Sequence, residues 1–198
     1  MVNIALAINL EMIDRNVSLA INSLHCGLSD SFWLLMSARE LWYPLYAVLA
    51  GVIIWRLGWK RGLVMLGAVI LSIVCIDQCG NIVKELCHRL RPCNDPYMTS
   101  RGLHMLEGIS KGHCYGFFSA HAANTAGLVT AAYMSLRMDR SLKWKGFLIG
   151  GGIWSLLVGF SRIFVAKHFL GDVITGLVAG ILIAWLIAMA GRHFARKV

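Results

Sequence analysis

Five long apolar runs, broken by short charged turns, set the plan of this chain. Ahead of them, residues 12–28 follow a helical period, with Ile13, Val17, Ala20, Ile21, Leu24 and Leu28 on one stripe and Asp14, Ser18, Asn22, His25 and Ser29 on another. A helix of this kind suits a membrane surface or the cap of a bundle better than a crossing. Asp30 is placed to cap a short second helix through 32–37. The first span is expected over 41–57, with Trp42 and Tyr43 at its entrance and Pro44 in its first turn, where proline is tolerated. The second, over 62–83, carries Asp77, Gln78 and Asn81 near its far end. Polar groups at that depth must face the bundle or a wet cavity, and bonding between helices is the expected role. Residues 84–116 form one long polar loop, and further spans are expected over 117–136, 146–165 and 169–190. Some twenty residues suffice for a ~30 Å hydrocarbon core.

Composition turns that pattern into a fold class. A hydrophobic fraction of 58% with 15% charged residues, and a mean hydropathy of +0.65, exclude an ordinary soluble domain. The expected architecture is all-α and integral to a membrane: about five transmembrane helices plus an N-terminal interfacial helix. It forms one domain over 1–198, with interfacial helices in 1–38 and an external loop in 84–116. The net charge of +9 is spread among apolar runs without a basic face or a nucleic-acid module, so anionic lipid or phosphate is the expected partner and nucleic acid is not. No obligate protein partner is evident. The start of the chain lacks the basic segment of a signal peptide and meets Glu11, Asp14 and Arg15 early. Arg56, Lys60, Arg61, Arg137, Arg140, Lys143, Lys145, Arg192, Arg196 and Lys197 all fall on one side of a five-span arrangement. That side is expected to be cytoplasmic, which puts the 84–116 loop and the 162–172 turn together outside.

Three clusters meet on that outer face. Lys84 and Arg91 lie seven positions apart, read as one side of a continuing helix that Pro92 ends. Phe118-Ser119-Ala120-His121 stands at a helix start, where unpaired amides and the positive dipole end can hold an anion. Arg162, His168 and Asp172 open the last span. His168 and Asp172 share a helical face, so the carboxylate can accept one ring proton and leave the other nitrogen to attack.

These residues resemble the type 2 phosphatidic acid phosphatases (PAP2), which share their site with vanadium haloperoxidases. The signature Lys-x6-Arg-Pro is met by Lys84, Arg91 and Pro92, and Ser-Arg-x5-His-x3-Asp by Ser161, Arg162, His168 and Asp172. Pro-Ser-Gly-His is met in part, with Phe118 and Ala120 replacing its proline and glycine around Ser119 and His121. The resemblance implies hydrolysis of a lipid phosphomonoester or pyrophosphate through a phosphohistidine on His168, oriented by Asp172. His121 would protonate the leaving oxygen and then activate water. Lys84, Arg91, Arg162, Ser119 and the amide of Ala120 would hold the phosphoryl oxygens, without metal or other cofactor. Ala120 is compatible with that role if its backbone keeps a negative φ. Small relatives act on lipid A phosphates, undecaprenyl diphosphate, phosphatidic acid or phosphatidylglycerophosphate, and the first two are ranked higher. The implied location is a bacterial inner membrane with the site on the periplasmic face.

Several features carry other readings. Cys87, His88, Cys93, His104, His113 and Cys114 fit no familiar zinc spacing, and a Cys93–Cys114 disulfide is the preferred expectation. His88, Arg89, Arg101 and Lys111 are candidates for a second phosphate or a sugar headgroup. A small transporter would place charge at mid-span instead of at helix ends, and a non-catalytic lipid-binding protein would not need both histidines.

Overall fold

The computed structural model describes residues 2–106 and 112–198. Its helices are α1 (Val2–Asn22), α2 (Gly27–Ser37), α3 (Tyr43–Leu57), α4 (Trp59–Cys87), α5 (Pro96–Ser100), α6 (Ala120–Leu136), α7 (Lys145–Phe164) and α8 (Leu170–Ala195). Short 3-10 turns at Arg39–Trp42 and Pro92–Asn94 supply corners, and no strand occurs among the described residues. Four segments are long and apolar enough to cross a membrane: Arg39–Leu57, Trp59–Cys87, Lys145–Phe164 and Leu170–Ala195. Large apolar side chains such as Trp55, Ile70, Ile149 and Leu186 are exposed on them, as lipid-facing surfaces require.

The remaining expected span is the centre of the bundle. Helix α6 has 17 residues and begins at Ala120 instead of 117, because Ser119 takes the N-cap and accepts the Ala122 N–H. It packs against α3, α4, α7 and α8. Its alanines and glycine let those neighbours close in: Ala131 and Ala132 form one core with Ile53 of α3, Met65 and Ala68 of α4, and Ala184 and Ala188 of α8. The helix is apolar on nearly every face because protein surrounds it.

Boundaries elsewhere follow local chemistry. Helix α4 starts after Gly58, whose φ of 77° suits glycine. It runs on to Cys87, where His88 terminates it in a left-handed conformation. The 84–116 segment is therefore part helix, with α5 inside it. Asp30 does not cap α2. That helix opens three residues earlier, with the Cys26 N–H held by Ser29 Oγ at 2.9 Å. At the end of the bundle away from the signature residues, Arg56 bonds Asp139 at 2.5 Å and ties the α3–α4 corner to the α6–α7 corner.

Helix α1 keeps its two stripes but turns the polar one inward. Ser18 and Asn22 are buried, whereas Ile13, Val17 and Leu24 are exposed. Ser18 Oγ accepts the Leu170 N–H at 2.8 Å. Asn22 Nδ2 donates to the carbonyls of Ile163 and Phe164, each at 3.2 Å.

Candidate active site

Backbone hydrogen bonds weave the three signature segments together. The Arg91 N–H donates to Cys114 O at 3.0 Å and the Gly116 N–H to Arg89 O at 2.9 Å. Cys93 N–H reaches Ala166 O at 3.1 Å, and Ser119 N–H reaches Asp172 O at 3.0 Å. The Lys167 and His168 amides both bond Arg162 O, at 2.9 and 3.1 Å. Two glycines permit the closest approaches. A β-carbon at Gly116 would lie 2.9 Å from Arg91 Cγ and 3.6 Å from His168 Nδ1, and one at Gly176 would lie 2.5 Å from Ser119 O. These contacts set Arg91 beside His168, and Ser119 against the start of α8.

Every residue from 161 to 169 is buried, so the site's charges sit in a low-dielectric wall. Arg162, in the last turn of α7, donates from Nη1 to Ser37 Oγ, and its Nε is buried without a partner. His121 opens α6 within electrostatic reach of Arg162, Arg39, His168 and Arg91. Burial holds His168 far below the ordinary histidine range, at about 4; Asp172 opposes this shift, while Arg162 and Arg91 add to it. The ring is therefore neutral at physiological pH. Burial also lowers Arg91 and Lys167 from their usual values. Ala120 lies in the first turn of α6 and is not among the positive-φ residues, so its methyl causes no backbone strain.

Three expectations about the site change. Lys84 and Arg91 do not share a helix face, because the helix stops at Cys87. Arg91 arrives from the returning loop, with Nε donating to Tyr115 O at 3.1 Å. The His168–Asp172 pair faces at 3.6 Å, too long for a hydrogen bond, and His168 Nδ1 has no partner. The carboxylate is occupied instead by Arg89 Nη1 at 2.5 Å and the Phe169 N–H at 3.0 Å. Arg89 thus turns inward instead of offering itself to a headgroup. Its other arm holds Asp14 of α1 at 2.6 Å, and its guanidinium lies 4.3 Å from the Phe169 ring centroid. Although burial opposes it, Asp172 and Asp14 raise Arg89 above the ordinary arginine value.

The other loop residues stay apart from this centre. Arg101 stacks on Tyr97 at 4.2 Å, His88 lies edge-on to Tyr115 at 4.8 Å, and Lys111 is outside the described residues. Cys114 is an exposed free thiol, whereas Cys93 is buried among Met98, Leu103, Ala166 and Phe169; the expected disulfide is not formed. Asp77 does join helices, accepting from Asn124 Nδ2 at 2.7 Å.

Beside His121 lies a largely apolar cavity of 570 Å³. Trp42, Tyr46 and Ala50 line it from the α3 side and Ile70 and Ile73 from α4, while Ser37, Arg39 and His121 stand among its polar residues. Arg39, Ser37 and Asp14 were not legible as site residues from spacing, and Arg89 was legible only as a headgroup candidate. The first three reach the centre from helices and turns outside the three signatures.

The PAP2 superfamily matches residues 61–194, more than half of the chain. The lipid A 4'-phosphatase of Bacteroides thetaiotaomicron is 28% identical over 175 residues, covering 88% of this chain and 75% of that one. The lipid A 4'-phosphatase of Porphyromonas gingivalis is 29% identical over 189 residues, covering 94% and 72%. In fold, the chain is similar to the transmembrane PAP2-type phosphatidylglycerolphosphate phosphatase from Bacillus subtilis, with a TM-score of 0.72 and 22% identity over 96% of this chain and 88% of that one. Helical, multi-pass and matched across α4 to α8, the chain belongs to the PAP2 superfamily.

Proposed function

We propose that this membrane lipid phosphatase removes a phosphate monoester from a lipid of the lipid A class, at the external face of a bacterial inner membrane. The observation that carries this reading is the junction of an apolar cavity with a buried basic pocket at His121. Acyl chains occupy the cavity and the phosphate enters the pocket. The two lipid A 4'-phosphatases, similar over most of the chain, favour this substrate over undecaprenyl diphosphate or a glycerophospholipid. The basic turns opposite the site, tied together through Arg56 and Asp139, support an outward-facing centre.

The chemistry follows from the groups present. His168 Nε2 attacks phosphorus in line, forming a P–N bond as the ester P–O bond breaks. His121 gives a proton to the leaving sugar oxygen. As positive charge builds on the His168 ring, Nδ1–H closes on Asp172, since catalytic bonds that are long at rest tighten in the reacting complex. Arg162, Arg91 and Lys84, with Ser119 and the first amides of α6, hold the three phosphoryl oxygens where negative charge spreads. These fixed cations fill the role a divalent ion fills elsewhere. Water, deprotonated by His121, then cleaves the P–N bond and releases inorganic phosphate.

Purified protein, given lipid A, undecaprenyl diphosphate and phosphatidylglycerophosphate in detergent with excess chelator, tests the reading. Mass spectrometry should show loss of one phosphate from lipid A at the highest kcat/KM. A preference for either other lipid overturns the substrate, and loss of turnover on chelation overturns the metal-independent mechanism.

A further inference from the structure

Away from the signature residues, His25, Asp30 and His104 bring one donor atom each to within 4.8 Å of one another. They come from three places: the turn after α1, the first turns of α2, and the loop after α5. His104 Nε2 lies 3.1 Å from Asp30 Oδ2. The His25 and His104 rings stack at 3.5 Å, 6° from parallel. Asp30 Oδ1 is buried and has no hydrogen-bond partner. The His104 backbone is fixed from both sides by Asn22, which accepts its N–H at 2.8 Å and donates to its carbonyl at 3.1 Å.

We propose that His25, Asp30 and His104 form a structural binding site for a divalent transition ion of the zinc class. Two imidazoles and a carboxylate are a donor set matched to a borderline-soft cation, with water free to take a fourth place. Tetrahedral ligands about 2.0–2.1 Å from zinc stand roughly 3.4 Å apart. The present separations therefore close by little more than an ångström once the stacked rings splay. An ion here would fasten the α1–α2 corner to the loop after α5.

The test uses the full chain in detergent, stripped with chelator, dialysed and titrated with Zn²⁺ and with Co²⁺. The expected result is one ion per chain by elemental analysis, a Co²⁺ ligand-field spectrum of low-symmetry four-coordinate type, and a Zn²⁺-dependent rise in the unfolding midpoint. Asp30→Asn and His104→Ala should each lose all three responses. His193→Ala, which alters an exposed histidine of α8, should keep them. Asp30→Asn retains the side-chain volume, so its loss of binding with an unchanged metal-free midpoint separates ligation from folding. No stoichiometric ion on folded wild type, or equal binding by wild type and Asp30→Asn, overturns the proposal.

Discussion

Replacing Arg89 with glutamine distinguishes two roles for that side chain that predict opposite kinetics. A headgroup ligand would act on KM; a residue that positions Asp172 acts on kcat. The geometry favours the second, because both arms of Arg89 are taken by carboxylates, at 2.5 Å to Asp172 and 2.6 Å to Asp14. Opposite charges about 4 Å apart attract by ~4 kcal/mol at an effective dielectric near 20. Breaking a buried pair from one side typically costs about 3–5 kcal/mol of stability. Arg89 is 20% exposed, so the lower end applies. For catalysis, the lost interaction is a charge-assisted hydrogen bond of ~1.5–3 kcal/mol, which converts to roughly a 10- to 150-fold fall in kcat. KM should change by less than about threefold, because both arms of Arg89 are already held by carboxylates. Asp14→Asn should move kcat the same way by a smaller factor, and the double variant should fall short of the product of the singles, as members of one network do. Initial rates of phosphate release from mixed micelles over a range of lipid, with thermal unfolding in parallel, give each quantity. A tenfold rise in KM at unchanged kcat would refute the positioning role.

Four further outcomes follow from the same geometry. His168→Ala should abolish release while leaving lipid binding intact, and wild-type turnover in that variant would exclude the phosphohistidine route. Only the neutral ring of His168 can attack, and its pKa lies at about 4. Once substrate ionisation is subtracted, the acid limb of kcat/KM should therefore fall near pH 4 and not at the ordinary ~6.5; a limb above pH 6 contradicts the burial reasoning. Gly180→Leu should lower the unfolding midpoint and activity together, since even a β-carbon there would lie 2.1 Å from Ala123 O, whereas Gly150→Leu has open space and should be tolerated. Ala50→Trp narrows the cavity and should raise KM for long-chain lipid while sparing a water-soluble phosphate ester; equal effects on both would remove the cavity from substrate binding.

The signature residues were legible as a cluster because their identities and local spacing carry the signal. Ser161, Arg162, His168 and Asp172 needed only one turn between two helices to be drawn together. The apolar runs likewise disclosed the helices, although α6 read as a span like the others when protein surrounds it. A one-dimensional pattern cannot distinguish an apolar neighbour of either kind. The pairing of Lys84 with Arg91 failed as helical geometry because nothing in that polar stretch announces the left-handed turn at His88. Asp14 escaped notice, and Arg89 read as a headgroup candidate, for a different reason. Their meeting depends on α1 lying across the signature loops, a tertiary placement that neither residue's neighbours encode.

That placement has a consequence for the setting in which the enzyme works. Helix α1 is inverted relative to its counterpart in a water-soluble protein, gripping its neighbours with Asp14, Ser18 and Asn22 and turning Ile13, Val17 and Leu24 outward. Such an element is pressed home by the oily medium around it, since peeling it off would expose those polar grips to hydrocarbon. Lateral pressure of the surrounding lipid thus becomes part of what keeps Arg89, and through it Asp172, in register. Turnover should accordingly depend on the lipid or detergent that surrounds the protein.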